Sequence, residues 1–191
     1  GHRRLARVYV HVGFFEEALR QADMALAMNP SNAQALNSRA QALLWMGKDE
    51  EALVVLLSIP GPVLPELVEA NTAFALLRLG KREDAWVHMG KAQRKYPNDP
   101  SGALSGIEAI LLTESEPLEA QALIEKVAMR KAVNPSHHAA YFAASAWARM
   151  GRADEAVQSL REAAETGFPC YPLFARDPTL DPIRQHPHFQ A

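Results

Sequence analysis

A recurring glycine-to-alanine step restricts this chain more than any other feature. Alanine follows glycine five residues on at Gly13/Ala18, Gly47/Ala52, Gly80/Ala85 and Gly151/Ala156. The glycines stand 34, 33 and 71 residues apart, the last interval being two steps of about 35. A period in this range belongs to chains made of small supersecondary units, each of which buries its apolar face on the next. The 191 residues therefore read as about five such repeats and a tail, not as one globular core. The 13 prolines fit the same division: seven lie at inferred joints before residue 120, Pro135 closes the fourth repeat, and five crowd the tail.

The residues around each glycine follow one pattern. In the first repeat Leu5, Ala6 and Tyr9 precede Gly13, and Ala18, Ala22, Ala25 and Pro30 follow it. The second gives Leu36, Ala40, Leu43, Gly47, Ala52 and Leu56, and the third Ala73, Leu76, Gly80, Ala85, Met89, Ala92 and Pro97. The fifth gives Ala144, Trp147, Gly151, Ala156, Leu160 and Ala163. The fourth carries Gly106 at the small position but has Thr113-Glu114-Ser115-Glu116-Pro117 where the turn glycine belongs. This pattern resembles the tetratricopeptide repeat, a helix–turn–helix unit, over roughly residues 2–166. Only Ala22 departs from it in the first repeat, standing where a bulky residue belongs.

The chemistry of the pattern is steric. Small residues on the first helix of a pair and alanines on the second let two backbones approach, and larger residues fill the gaps. The turn glycine adopts the left-handed conformation that ends the first helix. A closing proline cannot continue the second helix but suits the start of the next. The resemblance implies an all-α, right-handed α-solenoid of about five helix pairs with a short proline-rich C-terminal cap. The expected repeats are 2–30, 31–60, 61–97, 98–134 and 135–166, followed by a capping tail at 167–191. The expected helices are 2–12 with 15–28, 33–46 with 49–58, 65–79 with 82–95, 100–113 with 117–132, and 136–150 with 153–166. Ser31, Asn98 and Asn134 are the expected helix N-caps. The first helix lacks most of its first turn relative to the family, so the chain is expected to be a piece of a longer protein.

The tail has five prolines, two of them in Asp-Pro pairs, which suit turns and short helical segments. Its apolar residues Phe168, Tyr171, Leu173, Phe174, Leu180, Ile183 and Phe189 are expected to cover the last helix pair. The tail resembles the ending found after such repeats in large bacterial kinases, cyclases and winged-helix regulators. A bacterial, cytoplasmic protein is the resulting expectation, with a periplasmic location left open.

Several functions find no support. A net charge of −2 lacks the basic excess of a general nucleic-acid binder, and no apolar run approaches the ~18 residues that span a bilayer. A single cysteine, Cys170, forbids an intrachain disulfide and is expected to be a buried structural thiol. No phosphate-cradling glycine loop and no Gly-x-Ser-x-Gly elbow is present, so no enzyme and no cofactor is expected. His137 and His138 are adjacent on a helix and should diverge, and His186 and His188 have no acidic ligand near in sequence, so no metal site is expected. The acidic clusters Glu16-Glu17 and Asp49-Glu50-Glu51 open second helices, where they favour the helix dipole.

What remains is a binding surface. In the resembled family the first helices of each pair line a concave groove at fixed offsets before the turn glycine. Those offsets imply a peptide-binding groove formed by Arg3, Arg7, Asn37, Gln41, Trp45, Phe74, Arg78, Tyr141, Ser145 and Arg149. Neighbouring groove positions are Gln34 and His138. Amides and guanidinium groups suit peptide backbone and carboxylates, and the aromatic rings suit apolar anchors. The expectation is a protein–protein interaction scaffold holding a peptide segment or partner protein. The alternative is self-association, a homo-oligomer formed through the first repeat.

Overall fold

A computed structural model of the protein describes residues 1–61, 64–130 and 137–190. Asn134 and Pro135, expected to cap and close helices, lie outside the described residues, as does Pro62. No strand occurs among the described residues. The described residues form the helices α1 (His2–Val12), α2 (Phe15–Met28), α3 (Ala33–Trp45), α4 (Asp49–Ser58), α5 (Pro65–Arg78), α6 (Arg82–Lys95), α7 (Ala103–Leu112), α8 (Pro117–Arg130), α9 (His137–Arg149) and α10 (Ala153–Glu165). Two four-residue helices, α11 (Tyr171–Phe174) and α12 (Pro187–Gln190), flank a 3-10 helix at Pro178–Ile183. None of the helices described is long and apolar enough to cross a membrane.

The repeated glycines end the first helices as their spacing requires. Gly13, Gly47, Gly80 and Gly151 have φ of 85°, 80°, 73° and 73°, a left-handed conformation in which a Cβ would be strained. Acidic side chains follow in the first turns of α2, α4, α6 and α10, where they meet the positive end of the helix dipole.

Two expected N-caps are corrected. Asn32, not Ser31, caps α3, accepting from the Ala35 N–H at 3.1 Å, while the Ser31 hydroxyl donates to Asn29 Oδ1. Asp99, not Asn98, serves α7. Its carboxylate accepts from the N–H groups of Leu104 and Ser105 and from the Ser105 hydroxyl. An ionised carboxylate is the stronger acceptor at a helix start, and the turn it makes delays α7 to Ala103.

The chain forms two compact units, residues 1–88 and 89–191, and the division falls inside α6. In the first unit α1 packs on α2, α2 on α3, α3 on α4 and α4 on α5; α1 also meets α3, and α3 meets α5. Ala6, Val10, Ala18, Ala22, Ala40, Leu44, Trp45, Ala52 and Phe74 are buried in it. In the second unit α9 is the central element, with every residue from His138 to Ala148 buried. α7, α8 and α10 pack on it, and so does the 3-10 helix. Gly106 lets α7 approach α9 closely: a Cβ there would lie 2.7 Å from the Cβ of Phe142.

The tail is part of the second unit. Phe168, Leu173, Phe174, Leu180 and Ile183 are buried, whereas Tyr171, expected among them, is exposed. Asp177, itself buried, accepts from the Tyr141 hydroxyl, from the Thr179 hydroxyl at 2.7 Å and from the Thr179 N–H at 3.0 Å. The Arg184 guanidinium donates to the carbonyls of Phe174, Ala175 and Asp177. These bonds hold together a segment too proline-rich for a long helix.

Candidate peptide-binding site

The ten residues expected to line one groove divide into a surface group and an interior group. Arg3 and Arg7 are exposed, one turn apart on α1. Neither has an ion-pair partner among the described residues. Trp45 and Phe74 are 1% and 0% exposed and meet edge to face, ring centroids 6.4 Å apart, so they hold α3 against α5. Arg78 lies over the Phe74 ring and pairs with Asp49 at 3.2 Å, and its guanidinium also reaches the Leu44 carbonyl. Tyr141 and Ser145 are wholly buried; one holds Asp177 and the other donates to the Tyr141 carbonyl. Arg149 donates to the Thr113 hydroxyl and pairs with Glu114.

As the chain stands, then, Trp45, Phe74, Tyr141 and Ser145 expose no surface to a ligand, and Arg78 and Arg149 are engaged within the protein. The reason is packing. Alternate helices meet directly, α1 on α3, α3 on α5 and α7 on α9, and the side chains at these offsets fill those contacts. Aromatic rings that read as ligand anchors in sequence are core rings here.

One cavity opens in the first unit and has a volume of about 600 Å3. Arg3 and Arg7 line one side, and Gln34, Asn37 and Ser38 of α3 the other. Asn29, Ser31 and Asn32, from the turn before α3, complete its polar wall, with Leu64 beside them. No aspartate or glutamate lines it among the described residues. Asn37 is only 5% exposed, and its Oδ1 has no hydrogen-bond partner. Gln41, one turn further along α3, is 2% exposed with its Nε2 unpaired.

Buried carboxamides are ordinarily satisfied, because an unpaired buried polar atom costs about 1–3 kcal/mol. Unmade bonds beside a polar cavity mark a place where a ligand can supply them. The sequence reading missed Asn29, Ser31 and Asn32 because the offsets counted only residues on the first helix of each pair. It also missed Asn71, fully buried on α5 with both carboxamide atoms unpaired. A polar residue amid the apolar run of α5 was the signal available in the sequence.

The histidines behave differently from expectation. The His137 and His138 rings do not diverge but lie 4.5 Å apart, both against Phe168. An acidic group does stand near the tail pair: His186 Nε2 is 3.4 Å from Asp154 Oδ1. A second cavity, of about 650 Å3, lies along α10 and includes Trp147, Asp154, Glu155, Arg161 and His188. It presents both signs of charge, and its Glu155 is already paired with Arg152.

The sequence model of the tetratricopeptide repeat matches residues 3–58, the stretch that contains the arginine-lined cavity apart from Leu64. No curated protein matches the chain significantly. Among solved structures, a thermophilic tetratricopeptide repeat protein of Thermus thermophilus superposes with a TM-score of 0.64 over 92% of this chain and 94% of that one, at 22% identity. That likeness gives the fold, an α-solenoid of helix pairs. The chain therefore carries a tetratricopeptide repeat match over residues 3–58 and shares the fold of that Thermus thermophilus protein over nearly its whole length.

Proposed function

We propose that the protein binds a peptide segment of a partner protein and that the Arg3–Asn37 cavity of the first unit anchors it. The observation that carries this reading is a cavity with two unpaired guanidinium groups, no acidic lining among the described residues and a nearly buried carboxamide oxygen lacking a partner. Guanidinium groups and amides together match the acidic groups and backbone of a peptide. Arg3, Arg7, Gln34 and Asn37 are the contact residues in this reading. The five helix pairs serve as the repeats 2–30, 31–60, 61–97, 98–134 and 135–166, with 167–191 closing the last pair. The test is binding of a fluorescent peptide library to the full chain and to Arg3→Ala/Arg7→Ala. Loss of two charge-assisted bonds should weaken genuine ligands at least ~10-fold. Equal affinities would remove the cavity from the function.

A second reading, self-association, is favoured by one observation. Leu5 and Val8 on α1 are 45% and 54% exposed, although Ala42, one period after Val8, is fully buried. Two copies meeting at α1 would cover these side chains. Light scattering over a concentration series decides it: a monomer at every concentration ends this reading, and Val8→Glu should dissociate any dimer.

A further inference from the structure

The arginine-lined cavity also indicates what kind of acidic group it takes. α3 begins inside the cavity, with Ala33 and Gln34 of its first turn on the wall. Asn32 caps the Ala35 N–H, and the Asn32 carbonyl accepts from the Leu36 N–H. The N–H groups of Ala33 and Gln34 have no acceptor among the described residues. A helix start of this kind favours negative charge through its free N–H groups and its dipole. Across the cavity stand Arg3 and Arg7, and Asn37 also lines it, its buried Oδ1 without a hydrogen-bond partner.

A chain with 22 acidic and 20 basic residues has thus placed two cations, and no anion, around one cavity. A carboxylate offers one negative charge and two oxygens. That leaves one guanidinium uncompensated and several donors idle. A phosphate monoester carries close to two negative charges at neutral pH and three acceptor oxygens, which matches two guanidinium groups and a free helix start.

We infer that the cavity between α1 and the start of α3 recognises a phosphorylated serine or threonine on the bound peptide, with Arg3 and Arg7 pairing the phosphate against the free N–H groups of α3. This rests on the peptide-binding reading above and narrows it to one class of anchor. The peptide chain on either side of the phosphate lies along α3, within reach of Gln34 and Asn37.

The experiment titrates the full chain with three short peptide libraries, degenerate at the flanking positions. Their central residues are phosphoserine, serine and glutamate, and inorganic phosphate is titrated alone as a fourth probe. The expected result is binding of the phosphoserine library at least ~10-fold tighter than either other library. That preference should vanish in Arg3→Ala/Arg7→Ala, whose helicity should stay intact because both side chains are exposed. Equal binding of all three libraries, still lost in the arginine variant, would overturn the phosphate inference and leave the peptide reading standing. Inorganic phosphate binding as tightly as the phosphopeptides would also overturn it, because the flanking chain would then contribute nothing. A phosphate preference unchanged in the arginine variant would overturn the site. Binding of no library would overturn both readings.

Discussion

Arg78 on α5 and Asp49 at the start of α4 form an ion pair, Nε to Oδ2 at 3.2 Å, with side chains only 10% and 12% exposed. The same guanidinium donates to the carbonyl of Leu44 on α3 and rests on the Phe74 ring. One arginine therefore ties three helices of the first unit together. Removing one partner of a nearly buried pair leaves the other charge desolvated, a cost of about 3–5 kcal/mol. Arg78→Ala should lower the unfolding free energy, read from the urea midpoint, by an amount at the lower end of that range, and Arg78→Lys should recover part of it. Peptide affinity at the Arg3 cavity should not change in a variant that remains folded. An unaltered midpoint would mean that the pair contributes nothing net.

The tail should depend on one hydroxyl. Tyr141→Phe removes the donor that holds the buried Asp177 carboxylate from α9, leaving only the Thr179 contacts. A cost of about 1–3 kcal/mol is expected, because Asp177 stays buried. Amide hydrogen exchange should show the loss of protection concentrated in residues 171–183. Uniform loss along the chain would argue instead that the tail and the helix pairs unfold as one.

Two glycine-to-alanine exchanges should have opposite signs. At Gly106 the added methyl meets the Cβ of Phe142 at 2.7 Å, so α7 and α9 must move apart; overpacking of this kind costs about 1–3 kcal/mol. At Gly90, inside α6, the nearest neighbour is the far end of Arg94 at 3.6 Å. Gly90→Ala should gain about 0.5–1 kcal/mol through helix propensity and reduced chain entropy. Thermal melting of the two variants checks both signs.

Cys170 should be silent toward thiol reagents. Burial pushes its thiol from the ordinary 9.0 up to about 12, despite some relief from the backbone at Leu173. At pH 8 the folded protein should not react with a disulfide reagent, and the denatured protein should react fully. Between pH 9 and 12 the unfolded thiol loses its proton while the folded one keeps it. The folded state binds more protons there, so this residue subtracts stability as pH rises through that window. Cys170→Ala should show a shallower fall over the same range, and an identical fall would exclude the thiol as its source.

The helices were legible in the sequence because their determinants are local. Left-handed Gly13, Gly47, Gly80 and Gly151 end helices regardless of what packs around them, and acidic first turns announce the starts that follow. The caps were less legible. Asn98 and Asp99 are adjacent and both competent, and the choice of Asp99 follows from the turn that aims its carboxylate at two N–H groups of α7. The candidate site was legible only in part. Arg3, Arg7, Gln34 and Asn37 follow from repeat offsets, but Asn29, Ser31 and Asn32 reach the same cavity from a turn that carries no periodic signal.

Period and residue size, properties of the chain read in order, were enough to predict an all-helical architecture of paired helices. Tertiary structure decided which side chains remain available. Trp45, Phe74, Tyr141 and Ser145 have the offsets of ligand-facing residues, yet alternate helices approach closely enough to bury them. Arg3 and Arg7, at equivalent offsets, stay exposed and unpaired beside the start of α3. Exposure is a property of the neighbours that the fold brings up to a residue, and those neighbours are distant in sequence.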